Sequence, residues 1–465
     1  MFDRRTFLIG AFLAPAALRA EISSTALGAR PPLRPAPDPT SLIAAAGLAG
    51  DVSFAAIDAA TGDVMAMLGT QAFPPASTMK AITTLYALDR LGPDHRFRTR
   101  VVRAGDMLVL AGGGDPVLST DDLALLADQL VKAGEPSPAR FAVWGGALPT
   151  IQSIAPEQAI HVAYNPALSG MILNFNRVHL DWRQAGSDYQ ISLEARAASN
   201  SPRAYTVTAR AADQAVLFTY HADEAQESWA VSRAAMGRSG SRWLPVRLPE
   251  LYAGDVFQTL CRARGLVLPT PEVIDTLPAG SEVAAVESPP LQVILRDMMT
   301  YSTNLTAEVV GLHASGASTL AASGAAMRDW LAGKGIGDPM VLADHSGLSP
   351  DSRITSMTMA RVMAGPGKAA DLQRLMKAHP LDEDLGDADA RSPAVRAKTG
   401  TLNFVSNLAG YATDADGRQI AFTIFCADLD RRAATEGQEL PAGVSTWTRR
   451  AKILQRALID AVAAA

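Results

Sequence analysis

The sequence predicts an α+β fold in which an antiparallel sheet is flanked by helices and interrupted by a long β-rich insert. Strand-like segments joined by turn signals occur near both ends of the chain, at 52–68 and 397–426. Between them, residues 97–244 carry short strand-like runs separated by polar and Gly/Pro turns, a length that suits one or two inserted domains. With 465 residues, 48% of them hydrophobic and 19% charged, the chain can form two or three domains with sizeable cores.

The composition also limits the possible functions. The net charge of −5 shows no basic surplus, which argues against nucleic acid as a partner. The seven histidines are scattered singly, so we expect no metal site. Only seven of the 42 basic residues are lysines. Arginine cannot give up its proton, so a lysine kept inside a motif of this chain points to chemistry rather than to bulk charge.

The N-terminal segment has the layout of an export signal. Residues 1–20 begin with Arg4-Arg5, continue with an apolar run from Phe7 to about Leu18 and end in small residues. The run is too short to span a bilayer. It resembles a twin-arginine signal, with an ordinary secretion signal or a first helix of the domain as alternatives. Residues 21–40 are proline-rich and predict a linker. We therefore expect a periplasmic mature protein without a transmembrane span.

The first elements of the domain are a hairpin and a helix. Val52–Ala59 and Val64–Leu68 flank a turn signal at 60–63, which predicts two paired strands. A helical pattern follows and carries Ser77 and Lys80 near its start. Side chains three residues apart on a helix lie on the same face, so the lysine amine can meet the serine hydroxyl. A lysine whose pKa is lowered by burial or by a nearby cation can serve as the base that activates a serine.

The β-rich insert begins beyond Gly92 and contains a glycine-rich loop, residues 112–116. We interpret this loop as a tight turn built by the freedom of glycine at positive φ. A helical pattern resumes near 251–265 and again at 291–313. The second stretch contains Ser302 and Asn304, which would diverge on a regular helix, so we expect a helix junction there.

Three antiparallel strands and a closing helix, 446–464, end the chain. Lys398, Thr399 and Gly400 lie on the first of these strands. A cation, a hydroxyl and a backbone without a β-carbon on an edge strand would suit a carboxylate.

Together, Ser77-x-x-Lys80, Ser302-x-Asn304 and Lys398-Thr399-Gly400 match the motif set of penicillin-binding proteins and serine β-lactamases. More than 200 residues separate the first two motifs, so the chain resembles the D-alanyl-D-alanine carboxypeptidase/endopeptidase family, the class C low-molecular-mass penicillin-binding proteins. Residues 111–118 (AGGGDPVL) and 344–355 (DHSGLSPDSRIT) resemble segments of that family. Two segments differ from it, 156–162 and the acidic run 382–389, and both border the substrate cleft in relatives.

The resemblance implies a penicillin-binding/β-lactamase-like transpeptidase domain formed by residues 41–96 and 245–465, with a two-domain insert at 97–244. It implies a serine DD-peptidase that cleaves the terminal D-alanyl-D-alanine bond of peptidoglycan stem peptides, or a cross-link between them, and is trapped by β-lactam antibiotics. It implies no cofactor. In the implied mechanism Ser77 is the nucleophile, Lys80 the base and Ser302 the proton carrier. The N–H groups of Ser77 and Thr401 form the oxyanion hole. The substrate-binding residues are Asn304, Lys398, Thr399 and Gly400.

Two alternatives remain open. A β-lactamase of the same fold would hydrolyse penicillin rapidly, but the distance between Ser77 and Ser302 in the sequence argues against it. A catalytically silent peptidoglycan-binding protein would normally have lost one of the motif residues. The two cysteines, Cys261 and Cys426, could form a disulfide in an exported protein, although Cys426 ends an apolar run and suits a buried thiol.

Overall fold

The structure is a computed structural model that describes residues 38–465. The predicted export signal and residues 21–37 of the predicted linker lie outside the described residues. Pro39 and Thr40, which the sequence analysis assigned to the linker, instead begin a helix whose first turn is capped by the Asp38 carboxylate. None of the helices within 38–465 is long and apolar enough to cross a membrane.

The secondary structure elements are numbered in chain order. The helices are α1 (Pro39–Ala46), α2 (Met79–Leu91), α3 (Thr120–Lys132), α4 (Arg233–Met236), α5 (Pro249–Arg262), α6 (Leu291–Tyr301), α7 (Asn304–Ser315), α8 (Leu320–Gly333), α9 (Ser356–Val362), α10 (Asp382–Leu385), α11 (Leu429–Ala434) and α12 (Val444–Ala463). The strands are β1 (Asp51–Asp58), β2 (Val64–Leu68), β3 (Ala72–Phe73), β4 (Arg98–Ala104), β5 (Met107–Ala111), β6 (Arg140–Trp144), β7 (Arg177–Ala185), β8 (Asp188–Glu194), β9 (Val207–Ala212), β10 (Phe218–Ala222), β11 (Glu227–Ser232), β12 (Ser239–Pro245), β13 (Pro271–Val273), β14 (Ser281–Glu287), β15 (Ile354–Thr355), β16 (Lys377–Ala378), β17 (Ala394–Leu402), β18 (Val405–Thr413) and β19 (Gln419–Ala427).

The central sheet has the strand order β16-β17-β18-β19-β1-β2, and all of its pairs are antiparallel. It joins the two ends of the chain, because β1 pairs along its whole length with β19, from Asp51 opposite Ala427 to Asp58 opposite Ile420. The predicted α+β fold, the first hairpin and the three late strands are confirmed. β16 pairs with β17 only as far as Ala397, so the edge of β17 is open from Lys398 onward.

Alternation along the strands gives the central sheet two buried faces. On β19, Ala421 and Phe425 pack into a cluster with α2, α8 and α9, whereas Phe422 and Ile424 pack with α12 on the other face. A strand buried on both faces has a nearly continuous apolar sequence, which explains the run 420–427, where Thr423 alone is polar. The buried α2 is thereby held against the sheet, and it carries the start of the active site.

The insert contains a five-stranded sheet of order β13-β6-β5-β4-β14 and two three-stranded sheets, β10-β11-β9 and β12-β7-β8. It reaches further along the chain than residue 244, where the sequence analysis ended it. Strands β13 and β14 belong to its largest sheet, and α5 packs in its hydrophobic cluster with α3. These later elements were assigned to the other domain because a sequence does not show which sheet a short strand joins.

The reason for the glycines in the glycine-rich loop of the insert differs from the predicted one. Of its three glycines, Gly114 alone has a positive φ, +71°. A β-carbon on Gly112 would lie 2.3 Å from the Gly170 oxygen, and one on Gly113 would lie 2.0 Å from the Arg98 oxygen. Close approach of the backbone therefore requires the first two glycines.

Candidate active site

Ser77 lies in a short 3₁₀ turn, Ala76–Thr78, that leads directly into α2. The turn begins in a strained conformation, because Ala76 has a φ of +48°. The Thr78 hydroxyl donates to the Pro75 oxygen at 2.7 Å, and the Asn407 amide of β18 donates to the Pro74 oxygen at 2.8 Å. The nucleophile candidate is therefore fixed by bonds on both sides of the turn.

Lys80 is completely buried and its Nζ has three partners. It lies 2.8 Å from the Ser77 Oγ, 2.8 Å from the Asn304 Oδ1 and 3.0 Å from the Ser346 carbonyl oxygen. The amide and carbonyl oxygens can only accept hydrogen bonds, so they take the two N–H groups of a neutral amine. The nitrogen lone pair is then left facing the Ser77 hydroxyl, which is the arrangement a general base needs.

Burial lowers the pKa of Lys80 to about 7, against the opposing effect of the Glu308 and Asp344 carboxylates. The nearby cation that the sequence motifs offer for such a shift is Lys398. In the structure the effect runs the other way. Burial, and after it the charge of Lys80, lowers the pKa of Lys398. Lys80 can thus be neutral near neutral pH, and the main cause is desolvation.

Ser302 and Asn304 occupy the predicted helix junction. Ser302 follows α6 in the left-handed conformation, with φ 60° and ψ 35°, and Asn304 begins α7. This break turns both side chains toward the same cleft. The Lys398 Nζ lies 3.0 Å from the Ser302 Oγ and 2.9 Å from the Thr399 oxygen, so the three motifs form one connected hydrogen-bonded set.

Gly400 lies where β17 passes the Ser77 turn. A β-carbon there would lie 2.9 Å from the Pro75 oxygen and 3.0 Å from the Thr78 nitrogen. The sequence motif predicted that this space would admit a substrate carboxylate. In the structure the backbone of the turn fills it.

The site also includes two buried carboxylates that sequence reasoning did not identify as functional. Glu308 follows Asn304 by one turn of α7, and Asp344 lies in the loop whose Ser346 carbonyl meets Lys80. The backbone N–H groups of Gly347 and Ser349 and the hydroxyls of Ser346 and Ser352 donate to Asp344. A single acidic residue in the otherwise apolar run of α7 was the signal that could have identified Glu308.

A cleft of about 870 Å³ opens in front of these residues. Ser77, Ser302, Asn304, Thr399 and Thr401 line its inner end. Its walls include Glu157 and Gln158 of the insert and Asp384 of the acidic run, so both segments that depart from the family pattern face the cleft.

The insert contacts the catalytic set directly. The Asn304 Nδ2 donates to the Tyr164 carbonyl oxygen at 3.0 Å. Tyr164 belongs to a loop that the Asn165 side chain closes by bonding both backbone groups of Ala155. The Arg247 guanidinium holds the same loop at the Ile160 oxygen, at 3.0 Å. The insert therefore fixes the orientation of the Asn304 amide.

The two cysteines are free and buried in different clusters. Cys261 lies in the core of the insert, and Cys426 lies between the central sheet and α12. Burial raises the pKa of both thiols to about 12. The structure thus contains no Cys261–Cys426 disulfide.

Comparison with known proteins decides the family. The model of the D-Ala-D-Ala carboxypeptidase 3 (S13) family matches residues 43–449, which is most of the chain. The chain belongs to this family. A D-alanyl-D-alanine carboxypeptidase of Actinomadura sp. (strain R39) is 28% identical over 420 residues, which cover 79% of this chain and 76% of the relative.

Solved structures agree with the S13 assignment at the level of the fold. Penicillin binding protein 4 (dacB) from Haemophilus influenzae superimposes with a TM-score of 0.71 at 20% identity, covering 90% of this chain and 99% of that protein. A second structure of that protein, complexed with a β-lactam, gives a TM-score of 0.69. The S13 chain described here is accordingly a serine-type D-alanyl-D-alanine peptidase with the penicillin-binding protein fold.

Proposed function

We propose that this S13 peptidase cleaves the terminal D-alanyl-D-alanine bond of peptidoglycan stem peptides through an acyl-enzyme on Ser77. The observation that carries the proposal is the contact of 2.8 Å between the Lys80 Nζ and the Ser77 Oγ, together with the other two partners of the amine. Lys80 takes the hydroxyl proton as the Ser77 Oγ attacks the carbonyl carbon. The C–N bond then breaks, and D-alanine leaves with a proton passed through Ser302.

The oxyanion that forms at the attacked carbonyl would be bound by the N–H groups of Ser77 and Thr401, both of which line the cleft. Donors of this kind contribute about 3 kcal/mol each to a transition state. Water then hydrolyses the ester between the acyl group and Ser77, with Lys80 again as base. No cofactor enters these steps.

Lys398 and Thr399 are proposed to bind the terminal carboxylate, and Asn304 the substrate amide. Gly400 lets the strand that carries them pass close to the Ser77 turn. Burial lowers the pKa of Lys398 well below the usual range of lysine. An arriving carboxylate raises that pKa again, since an opposite charge favours the ammonium form. Substrate binding thus brings the positive charge that holds the substrate.

A β-lactam should acylate the same serine and remain there, because its ring fragment cannot leave the site.

We also propose that residues 1–20 direct export of the enzyme to the periplasm, the compartment in which peptidoglycan is accessible. Cleavage of cross-links is a second proposed activity: the cleft extends beyond the catalytic set as far as Thr448 on α12, which leaves room for more than a terminal dipeptide.

Mass spectrometry after brief incubation with a penicillin, followed by peptide mapping, tests the proposal. We expect a stable adduct on the peptide that contains Ser77 and none in Ser77→Ala. A rapidly vanishing adduct with hydrolysed drug would indicate a β-lactamase. The absence of any adduct would indicate a catalytically silent protein.

A further inference from the structure

Glu308 is the buried carboxylate nearest in sequence to the catalytic motifs, and the steps above do not use it. It lies on α7 one turn beyond Asn304 and is completely buried. Its Oε1 accepts the Ser346 N–H at 2.8 Å, and its Oε2 accepts the His345 N–H at 3.0 Å. A buried carboxylate is costly unless its oxygens are bonded in this way, so the position is specific.

Ser346 is thereby held at both of its backbone groups. Its N–H binds Glu308, and its carbonyl oxygen accepts from the Lys80 Nζ at 3.0 Å. The next residue, Gly347, packs so closely on the Ser77 turn that a β-carbon there would lie 1.9 Å from the Ala76 oxygen. One short loop thus connects Glu308, the base and the nucleophile turn.

We propose that Glu308 is a positioning residue of the peptidase reaction: by binding the His345 and Ser346 N–H groups it aims the Ser346 carbonyl at Lys80. The proposal rests on Lys80 being the general base. If the Ser346 carbonyl lost its aim, the lone pair of Lys80 would no longer be directed at Ser77.

The charged and titratable groups around Lys80 come from three elements. Glu308 faces it from α7, Asp344 from the loop after α8, and Lys398 from β17. His345 is buried beside them and burial lowers its pKa to about 3, so it stays neutral. Both carboxylates raise the pKa of Lys80. Burial and the Asp344 charge in turn raise the pKa of Glu308 to about 8, so Glu308 and Lys80 titrate in the same pH range. Removing the Glu308 charge therefore lowers that pKa and moves the acid limb of the rate toward lower pH.

The experiment measures the acylation rate constant with a fluorescent penicillin from about pH 5 to about pH 9. In Glu308→Gln we expect the midpoint of the acid limb to fall, by less than about one pH unit because Glu308 is itself protonated over part of this range. The limiting rate should also fall, because the carboxamide places an NH₂ group, which cannot accept, opposite one of the two N–H groups. Glu308→Asp keeps the charge and should keep the midpoint while its limiting rate decreases.

Asp255→Asn is the matched control. Asp255 is a buried carboxylate of the insert that accepts the Tyr205 and Thr206 N–H groups, and burial raises its pKa. Its replacement should leave the midpoint unchanged. A folded Glu308→Gln variant with the wild-type midpoint would overturn the proposal. Should that variant fail to fold, an unchanged limiting rate in Glu308→Asp would overturn it instead.

The outcomes separate this proposal from the proposed function. A wild-type enzyme that shows no acid limb, or that forms no Ser77 adduct, would overturn the role of Lys80 and that of Glu308 with it. An adduct on Ser77 with a clear acid limb that Glu308→Gln does not move would overturn the role of Glu308 alone.

Discussion

A β-carbon on Gly400 would lie 2.9 Å from the carbonyl oxygen of Pro75, closer than packed atoms normally come. The strand that carries the lysine of the third motif and the turn that carries Ser77 are therefore in backbone contact. Any side chain at residue 400 must separate them, and the distance between nucleophile and substrate-binding strand depends on this glycine.

Replacing Gly400 by alanine should displace the Ser77 turn. We expect a loss of about 1–3 kcal/mol in the free energy of unfolding, typical of an overpacked site. Acylation by penicillin should slow by about 10²-fold, since small misplacements of reacting groups are that costly. Gly333→Ala, at the end of α8 with nothing within 4 Å of its β-carbon, is the control and should be acylated at the wild-type rate without losing stability. Equal acylation by both variants would contradict the prediction.

The pH dependence of acylation should follow the titration of Lys80. Its pKa of about 7 means that the neutral, reactive amine is lost as pH falls through that value. The rate should therefore rise with pH to a plateau above about 7. Stopped-flow measurement with a chromogenic β-lactam gives this curve.

Lys80→Arg tests the base itself. Arginine keeps the positive charge but cannot become neutral, so acylation should fall by about 10²–10⁴-fold. Lys334→Arg is the matched control, because this exposed lysine pairs with Asp89 away from the cleft. Normal penicillin labelling of Lys80→Arg would exclude Lys80 as the base.

Ser302 should lower the stability of the fold while its hydroxyl is required for peptidase activity. A residue other than glycine in its left-handed conformation costs about 1–2 kcal/mol, and glycine carries no such cost. The free energy of unfolding of Ser302→Gly should therefore be about 1 kcal/mol higher than that of Ser302→Ala. Both variants lack the hydroxyl next to Lys398 and should lose most peptidase activity. Urea unfolding and D-alanine release measure the two effects, and an active Ser302→Ala would remove Ser302 from the proton path.

The cysteines should be unreactive in the folded protein. Only the thiolate reacts, and a pKa of about 12 leaves almost none of it at neutral pH. A maleimide should label neither Cys261 nor Cys426 under native conditions and both after denaturation. A reducing agent should leave the melting temperature unchanged. A mass shift on reduction would show that the disulfide forms.

The sequence by itself determined the α+β class, the helix junction at Ser302 and the strand that carries Lys398. These features follow from local signals: alternation along strands, turn residues between them, and a motif whose two polar residues cannot share a regular helix face. The three motifs also indicated the chemistry of a serine nucleophile with a lysine base, because all three occur together in the order typical of penicillin-binding proteins.

The tertiary structure decided the features that depend on packing between distant segments. It assigned β13 and β14 to the sheet of the insert, gave the space beside Gly400 to the Ser77 turn, and kept Cys261 and Cys426 in separate cores. It also connected Glu308 to Lys80, because the Ser346 N–H binds Glu308 and the Ser346 carbonyl oxygen binds Lys80. Local sequence carries no record of these contacts, because each is set by how hydrophobic faces pack across more than thirty residues of chain.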